Sequence, residues 1–574
     1  MCFKNIFCRL VLTFSLFFST QNLNAVTFEL KLPESAPEKI YDGRLILILA
    51  ASNKLEPMYQ VNSSFDGAQI FGINVEGFKR GETKTIGNDV LGFPAKNIES
   101  IPKGEYYVQA VLHKYQTFNL ASGKTVKLPA IPSAGQNWKK EPGNLVSKPF
   151  KVIFDPTDNN IIKIILSEVN PNIQEPKDTE YIRHIKIRSQ LLSEFWGTDI
   201  FLRAHVLVPH DFDKHPQARF PLSIFHGHFP SNFGGFSETP PDPKLVCKYS
   251  QRFDLDCYNK IVAQESYDLY QYWVAQDTPR MLIAEIDHSN PYYDDSYAVN
   301  SDNLGPYGDA ITYELIPAIE REFRGIGEGW ARFLYGGSTG GWEALAVQVK
   351  YPEEYNGAFA ACPDPIDFRQ FTTINLYEDD NAYFRKGSFT KIDRPSHRNY
   401  LGHISGYMEM DNHWELVLGD KSRSGQQWDI WEAVYSPNGE DGYPQRIWNK
   451  KTGKINKSVA AYWRENYDLR YIMERDWTEL GPKLKGKIHI YVGDMDNFYL
   501  NNAVYLTEKF LENAAPAYEG VIDYGDRHEH CWNGDHENSN AISRLRYNTF
   551  YVPQILKRIE KSAPKGADLK SWRY

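Results

Sequence analysis

The sequence predicts an α/β fold with a mostly parallel sheet covered on both faces, preceded by an all-β sandwich. Two patterns carry this prediction. Between residues 26 and 166, short strand-like runs are separated by Gly, Pro, Asn and Asp, and no helical periodicity lies between them. After the polar, proline-containing segment 170–176, strand-like runs alternate with helical ones, which is typical of a parallel sheet.

The elements are predicted in chain order. Residues 28–32 alternate apolar and polar side chains with period two, as a half-buried strand does. With the further runs 45–49, 106–112, 152–154 and 161–166, they predict an immunoglobulin-like sandwich over residues 26–168. Residues 169–180 form a linker, and the α/β domain spans 181–574. Its strands are expected at 200–209, 220–225, 280–286, 333–335, 357–361, 488–492 and 520–523, and its helices at 310–323, 342–347, 500–511 and 552–561.

The first 25 residues have the pattern of a secretory signal peptide. Lys4 and Arg9 precede an apolar run, 10–18, that is too short to span a bilayer comfortably. Ala25 suits the position just before a cleavage site. A retained anchor is the alternative. No later segment reaches membrane-spanning length, so we expect a secreted or periplasmic protein. The net charge of −9 includes no basic block, which argues against nucleic acid or an anionic membrane surface as the main partner.

Four cysteines remain once the signal peptide is removed. An even number in an oxidising compartment permits two disulfides, a local one between Cys247 and Cys257 and a long-range one between Cys362 and Cys531. Free buried thiols are the competing interpretation. None of the spacings is that of a zinc cage, and no metal is predicted.

The segment 336–341, Gly-Gly-Ser-Thr-Gly-Gly, lies between an apolar run and a helix-like run. Strand, G-x-S-x-G and helix is the context of a nucleophile elbow. A Cβ at Gly336 or Gly340 would collide with the neighbouring strand or helix, so the tight turn needs both glycines. The turn would expose the Ser338 hydroxyl and direct the Thr339 N–H, at a helix N-terminus, toward a developing oxyanion.

Three further parts of a serine hydrolase follow strand-like runs in the required order. His226-Gly227-His228 follows the run 220–225, and the His228 N–H would be the second oxyanion donor. Two acids, Asp494 and Asp496, follow the run 488–492. Two histidines, His528 and His530, follow the run 520–523, so the order is serine, acid, histidine.

Residues 181–574 resemble the putative-esterase branch of the α/β-hydrolase superfamily, the group of esterase D-like and feruloyl-esterase-like enzymes. The resemblance implies an α/β-hydrolase fold. In that group the catalytic histidine is often followed, after one residue, by tryptophan, which favours His530, and a G-x-x-D pattern favours Asp496. The segments that carry the resemblance are 226–228, 303–311, 314–317, 336–341, 493–496 and 530–532.

A long segment of about 363–487 departs from that group's pattern and is predicted to be a cap insertion. It holds six of the thirteen tryptophans, which could form a platform for sugar rings or a phenolic group, or the core of the cap itself. The acidic segment 287–295 could bind a hard cation, but a solvated or pocket-lining loop fits it better because EF-hand spacing is absent.

The predicted function is an exported serine hydrolase that cleaves carboxylic esters. Ser338 would attack the ester, His530 would take its proton, and Asp496 would orient the histidine, without a cofactor. The substrate would be a small-molecule or polysaccharide-linked ester, whose acyl and alcohol parts the sequence does not define; nor does it define the oligomeric state.

Three other functions stay open at the level of sequence. A peptidase or acyltransferase could use the same triad, since fold and triad do not determine the acyl group. A metallohydrolase could be built from two His-x-His pairs, His226 with His228 and His528 with His530. A binding protein with a degenerate hydrolase domain is the third.

Overall fold

The computed structural model describes residues 26–129, 138–227 and 231–574. The predicted signal peptide lies outside these residues. Within them, none of the helices combines the length and the apolar character that a bilayer span requires.

The first part of the chain is all β, as predicted. One sheet has the order β10-β1-β4, and a larger one has the order β11-β8-β6-β2-β3-β5, with β7 and β9 also paired to β6. Buried side chains of both sheets form one core, so they pack face to face. The strands are β1 (Thr27–Lys31), β2 (Ile40–Ala50), β3 (Gln69–Lys79), β4 (Thr83–Ile86), β5 (Gly92–Phe93), β6 (Gly104–Asn119), β7 (Thr125–Leu128), β8 (Leu145–Val146), β9 (Phe150–Phe154), β10 (Ile161–Ile165) and β11 (Glu168–Val169).

The second part is built on one sheet of eight strands. Their order is β12-β13-β15-β14-β18-β19-β24-β25; β13 is antiparallel to both its neighbours, and the pairs from β15 to β25 are all parallel. The strands are β12 (Ile182–Ser189), β13 (Ile200–Leu207), β14 (Leu222–His226), β15 (Leu282–Asp287), β18 (Arg332–Gly337), β19 (Ala358–Ala361), β24 (Ile488–Gly493) and β25 (Val521–Gly525); a small pair, β16 (Asn300–Ser301) and β17 (Gly305–Pro306), lies apart. This mostly parallel sheet confirms the predicted α/β class of the second part. Every residue of β15 is buried, including Glu285 and Asp287, as expected for a strand covered on both faces.

Helices connect these strands. Helix α5 contacts β14, β18 and β19 and also α9, the helix that precedes β24. The helices are α1 (Gln190–Trp196), α2 (Tyr258–Val274), α3 (Tyr307–Ala310), α4 (Ile316–Glu322), α5 (Thr339–Lys350), α6 (Met408–Leu418), α7 (Gln427–Tyr435), α8 (Lys457–Tyr467), α9 (Leu469–Leu484), α10 (Asn501–Leu511), α11 (Asn540–Ser543) and α12 (Tyr547–Ser562). The helix predicted at 310–323 is interrupted, because a π-helical turn, Ile311–Leu315, joins α3 to α4.

The segment between β19 and β24 contains two hairpins and helices α6 to α9. The hairpins are β20 (Phe384–Lys386) with β21 (Lys391–Asp393), and β22 (Pro395–Arg398) with β23 (Ile404–Tyr407). Five of its six tryptophans are at most 8% exposed, and Trp414 packs partly buried against a core cluster. These tryptophans are therefore packed in the interior, against the segment and its neighbours, rather than exposed as a platform.

Strand β2 is buried on both faces, which explains its unbroken Leu-Ile-Leu-Ile-Leu run at 45–49. Its leucines enter the core between the two sheets, whereas Ile46 and Ile48 pack with Val417 and Leu418 of α6. Arg44 joins the same contact: its Nε and Nη2 donate to the Val417 carbonyl at 3.0 and 2.8 Å. The guanidinium thus binds the C-terminal end of α6, where a cation is favourable.

Candidate active site

The segment 336–341 forms a sharp turn between β18 and α5. Ser338 has φ 60° and ψ −123°, a strained conformation for a residue with a side chain, and it immediately precedes the first residue of α5. A Cβ on Gly340 would lie 2.0 Å from the His226 carbonyl oxygen, and one on Gly336 would lie 2.4 Å from the same atom. The turn therefore needs both glycines. Its geometry places the Thr339 N–H at the N-terminus of a twelve-residue helix.

An aspartate and a histidine meet at the ends of β24 and β25. His530 Nδ1 lies 2.8 Å from Asp496 Oδ2, and the two residues are 7% and 0% exposed. The other carboxylate oxygen, Oδ1, accepts the backbone N–H groups of Phe498 at 2.8 Å and Leu500 at 3.3 Å. The Asp496 carboxylate is thus fixed by backbone donors on one side and by the imidazole on the other.

The second acid and the second histidine have different contacts. Asp494 Oδ1 accepts the Arg527 N–H at 2.7 Å, so this carboxylate braces the turn after β25. The His528 ring stacks on Trp532, with centroids 5.3 Å apart and an interplanar angle of 20°. The structure therefore pairs Asp496 with His530, whereas Asp494 and His528 make other contacts.

The Ser338 hydroxyl is directed to a buried carboxylate that the sequence analysis missed. Its Oγ lies 3.3 Å from Asp364 Oδ1, and Asp364 Oδ2 accepts from the Tyr297 hydroxyl at 2.7 Å and from the Thr339 hydroxyl at 3.1 Å. The Trp431 indole N–H reaches the same oxygen at 3.3 Å. Asp364 follows β19 by three residues, so its position at the carboxyl edge of a parallel strand was the available signal.

Comparison with known proteins identifies the domain. Residues 284–545 match the family model described as "Putative esterase". These residues are similar to the putative-esterase family. They include the elbow, both acids and both histidines, and the match identifies the protein as an esterase. No curated protein matches the chain.

Several solved structures are similar to this esterase at low identity. A ferulic acid esterase is 12% identical, with a TM-score of 0.33, over 66% of this chain and 98% of that one. An S-formylglutathione hydrolase from Agrobacterium tumefaciens is 12% identical, with a TM-score of 0.32, over 67% and 97%. A putative dipeptidyl aminopeptidase IV from Bacteroides ovatus is 13% identical, with a TM-score of 0.32, over 87% and 56%.

Two thiols lie beside His530 in the esterase. Cys362 and Cys531 are free, and their sulfur atoms and one ring nitrogen of His530 all lie within 4.8 Å of one another. The Cys531 N–H donates to Cys362 Sγ at 2.9 Å. Of the two disulfides that the sequence permits, the structure contains the local one, Cys247–Cys257, and keeps the other pair as thiols.

The charges around His530 favour its protonated form. Burial lowers the pKa of His530, but the negative charges of Cys531 and Asp496 and hydrogen bonds to both raise it by more, to about 10. The hydrogen bond to Cys362, followed by the charge of His530 and a hydrogen bond to it, lowers the pKa of the Cys531 thiol well below its usual value. A positive charge on His530 and a negative charge on Cys531 would each favour the other.

Three sequence predictions remain: the second oxyanion donor, the two His-x-His pairs and the acidic segment 287–295. His228, the expected second oxyanion donor, lies outside the described residues. His226 lies against His288 and Glu343, while His530 pairs with Asp496, so these two histidines belong to separate groups. The acidic segment 287–295 is buried throughout, which makes it a packed loop rather than a solvated one.

Proposed function

We propose that the protein is an exported serine esterase in which Ser338 is the nucleophile, His530 the general base and Asp496 the residue that orients His530. The observation that carries this proposal is the 2.8 Å contact between His530 Nδ1 and Asp496 Oδ2, at the same edge of the sheet as the strained Ser338 turn. Because Nδ1 is held by Asp496, Nε2 is the nitrogen that is available to Ser338.

The proposed reaction has two halves. The Ser338 hydroxyl turns from Asp364 to His530, transfers its proton to Nε2 and attacks the ester carbonyl. The oxyanion is held by the N–H of Thr339 and, by resemblance to the family, by that of His228; one such donor contributes about 3 kcal/mol to barrier lowering. The imidazolium protonates the leaving alcohol. Water, deprotonated by His530, then hydrolyses the acyl-enzyme and restores Ser338.

The substrate proposed is a small-molecule or polysaccharide-linked carboxylic ester. We also propose the predicted limits as domain limits: signal peptide 1–25, sandwich 26–168, linker 169–180 and hydrolase 181–574 with an insertion at about 363–487. The pairing of β11 at Glu168–Val169 with β8, and the start of β12 at Ile182, support the two boundaries around the linker.

The test uses chain 26–574 as the wild type and as Ser338→Ala. Both are assayed on nitrophenyl acyl esters, aryl-sugar esters and peptides. The proposal predicts ester hydrolysis that falls by several orders of magnitude in the variant while its melting temperature is retained. Ester hydrolysis that survives in Ser338→Ala would contradict the assigned nucleophile, and hydrolysis restricted to peptides would favour a peptidase on the same triad.

A further inference from the structure

Three buried ligand-type side chains meet next to the nucleophile helix. His226 ends β14 and pairs with Gly336 of the elbow, His288 follows β15, and Glu343 lies in α5, five residues after Ser338. All three are 0% exposed. They come from three separate elements, so the fold, and not local sequence, brings them together.

Their polar atoms are close to one another. His226 Nδ1 lies 3.2 Å from His288 Nε2, His288 Nδ1 lies 3.3 Å from Glu343 Oε1, and His226 Nδ1 lies 3.9 Å from Glu343 Oε2. One ligand atom from each residue can be chosen so that all three lie within 4.8 Å of one another. Tetrahedral zinc with bonds of about 2.0–2.2 Å separates its ligand atoms by roughly 3.3 Å. The 3.2 and 3.3 Å contacts involve different ring nitrogens of His288, and one set of three ligand atoms lies within 4.8 Å.

The buried groups lack the hydrogen bonds that would compensate their burial. Apart from the carboxyl group of Asp295, neither carboxylate oxygen of Glu343 has a hydrogen-bond partner in the described part of the chain, and His226 Nε2 has none there. The carboxyl group of Asp295 lies against that of Glu343 and adds a second acid. Burying a carboxylate without donors costs several kcal/mol, and a second carboxylate adds to this cost. A divalent cation between these groups would remove both costs.

We propose that His226, His288 and Glu343 bind one divalent metal ion of the zinc type. Imidazole nitrogens with carboxylate oxygens form a donor set that such ions accept. Since the ligands are fully enclosed, the ion is structural and does not contact substrate. The ion therefore connects the helix that follows the elbow to the strand that ends at His226.

The direct test is the metal content of the wild-type protein. Chain 26–574, produced without added metal and passed over a chelating resin, is analysed by inductively coupled plasma mass spectrometry. We expect about one equivalent of zinc or another first-row divalent metal per chain. Wild-type protein with less than about a tenth of an equivalent, and no uptake when refolded with Zn²⁺, would overturn the proposal and leave a proton as the charge that neutralises Glu343.

Variants locate the ion. Glu343→Gln should lose the metal. Glu432→Gln should keep it, since Glu432 is an equally buried glutamate of α7 that binds Arg446 instead. Ser338→Ala should be inactive yet retain full metal, which separates failure of this proposal from failure of the proposed function. Metal retained in Glu343→Gln would place the ion elsewhere and contradict the site.

Discussion

Replacing Asp496 by Asn tests the assignment of the orienting acid. Asp496 Oδ1 accepts two backbone N–H groups, from Phe498 and Leu500. In Asp496→Asn these donors select the amide oxygen at the Oδ1 position, which leaves the amide NH₂ facing His530 Nδ1. Such a donor requires an unprotonated Nδ1, so the proton moves to Nε2, and His530 can no longer accept the proton of Ser338.

The expected loss is large because the wrong tautomer is favoured while the geometry is kept. An equivalent change in a serine protease lowers kcat about ten-thousandfold, which corresponds to roughly 5 kcal/mol of barrier. The matched control is Asp494→Asn, since its amide oxygen can still accept the Arg527 N–H. We expect this control to lose less than about tenfold.

The assay is kcat/KM on a nitrophenyl ester for wild type, Asp496→Asn and Asp494→Asn, with melting temperatures measured alongside. A loss below tenfold in Asp496→Asn, or a larger loss in Asp494→Asn with its fold intact, would refute the argument. If Asp496→Asn loses activity and also has a lowered melting temperature, Asp496→Ala is assayed as a second variant. Asp496→Ala also lacks the acid, but it does not favour the wrong tautomer of His530.

Three further predictions concern the histidines, the thiol and the contact between domains. His530→Ala should abolish ester hydrolysis and His528→Ala should leave most of it, as kcat/KM will show; a tolerant His530→Ala would reverse the assignment. Activity should rise with pH as the imidazole of His530 loses its proton. Cys531→Ser should move this rise to lower pH, because removing a negative charge lowers the pKa of the neighbouring imidazole. An unshifted pH profile of kcat/KM in Cys531→Ser would contradict this coupling. Arg44→Met should lower the free energy of unfolding by about 2–3 kcal/mol in denaturant titrations, since the C-terminal carbonyls of α6 lose a buried charged donor; a change below about 0.5 kcal/mol would show that this contact is not important for stability.

The sheet could be predicted from the sequence because its strands are short, apolar and bounded by turns. The strands predicted at 220–225, 280–286 and 488–492 overlap β14, β15 and β24 within a few residues. The helix α2 was missed because its four Tyr and its polar residues give little apolar periodicity, with only three buried positions in seventeen. Strand β2 was recognised, but its second buried face depends on α6, which lies more than 350 residues away in the chain.

The candidate site was predictable where its chemistry lies in a local motif. The elbow motif indicates Ser338 as the candidate nucleophile because strand, turn and helix are contiguous in sequence, whereas Asp364 carries no motif and reaches Ser338 only through the fold. The group of His226, His288 and Glu343 was missed for the same reason. Sequence grouped His226 with His228 by spacing, but the sheet order places the strand before His288 next to β14.

The most direct test of the account is fluorophosphonate labelling of chain 26–574 followed by peptide mass spectrometry. A nucleophilic serine held by the proposed triad predicts one phosphonylated residue, Ser338, with loss of ester hydrolysis in proportion to labelling. Labelling should disappear in Ser338→Ala and slow strongly in His530→Ala. Ester hydrolysis that persists after complete exposure to the reagent, or a label on another serine that tracks the loss of activity, would contradict the central claim.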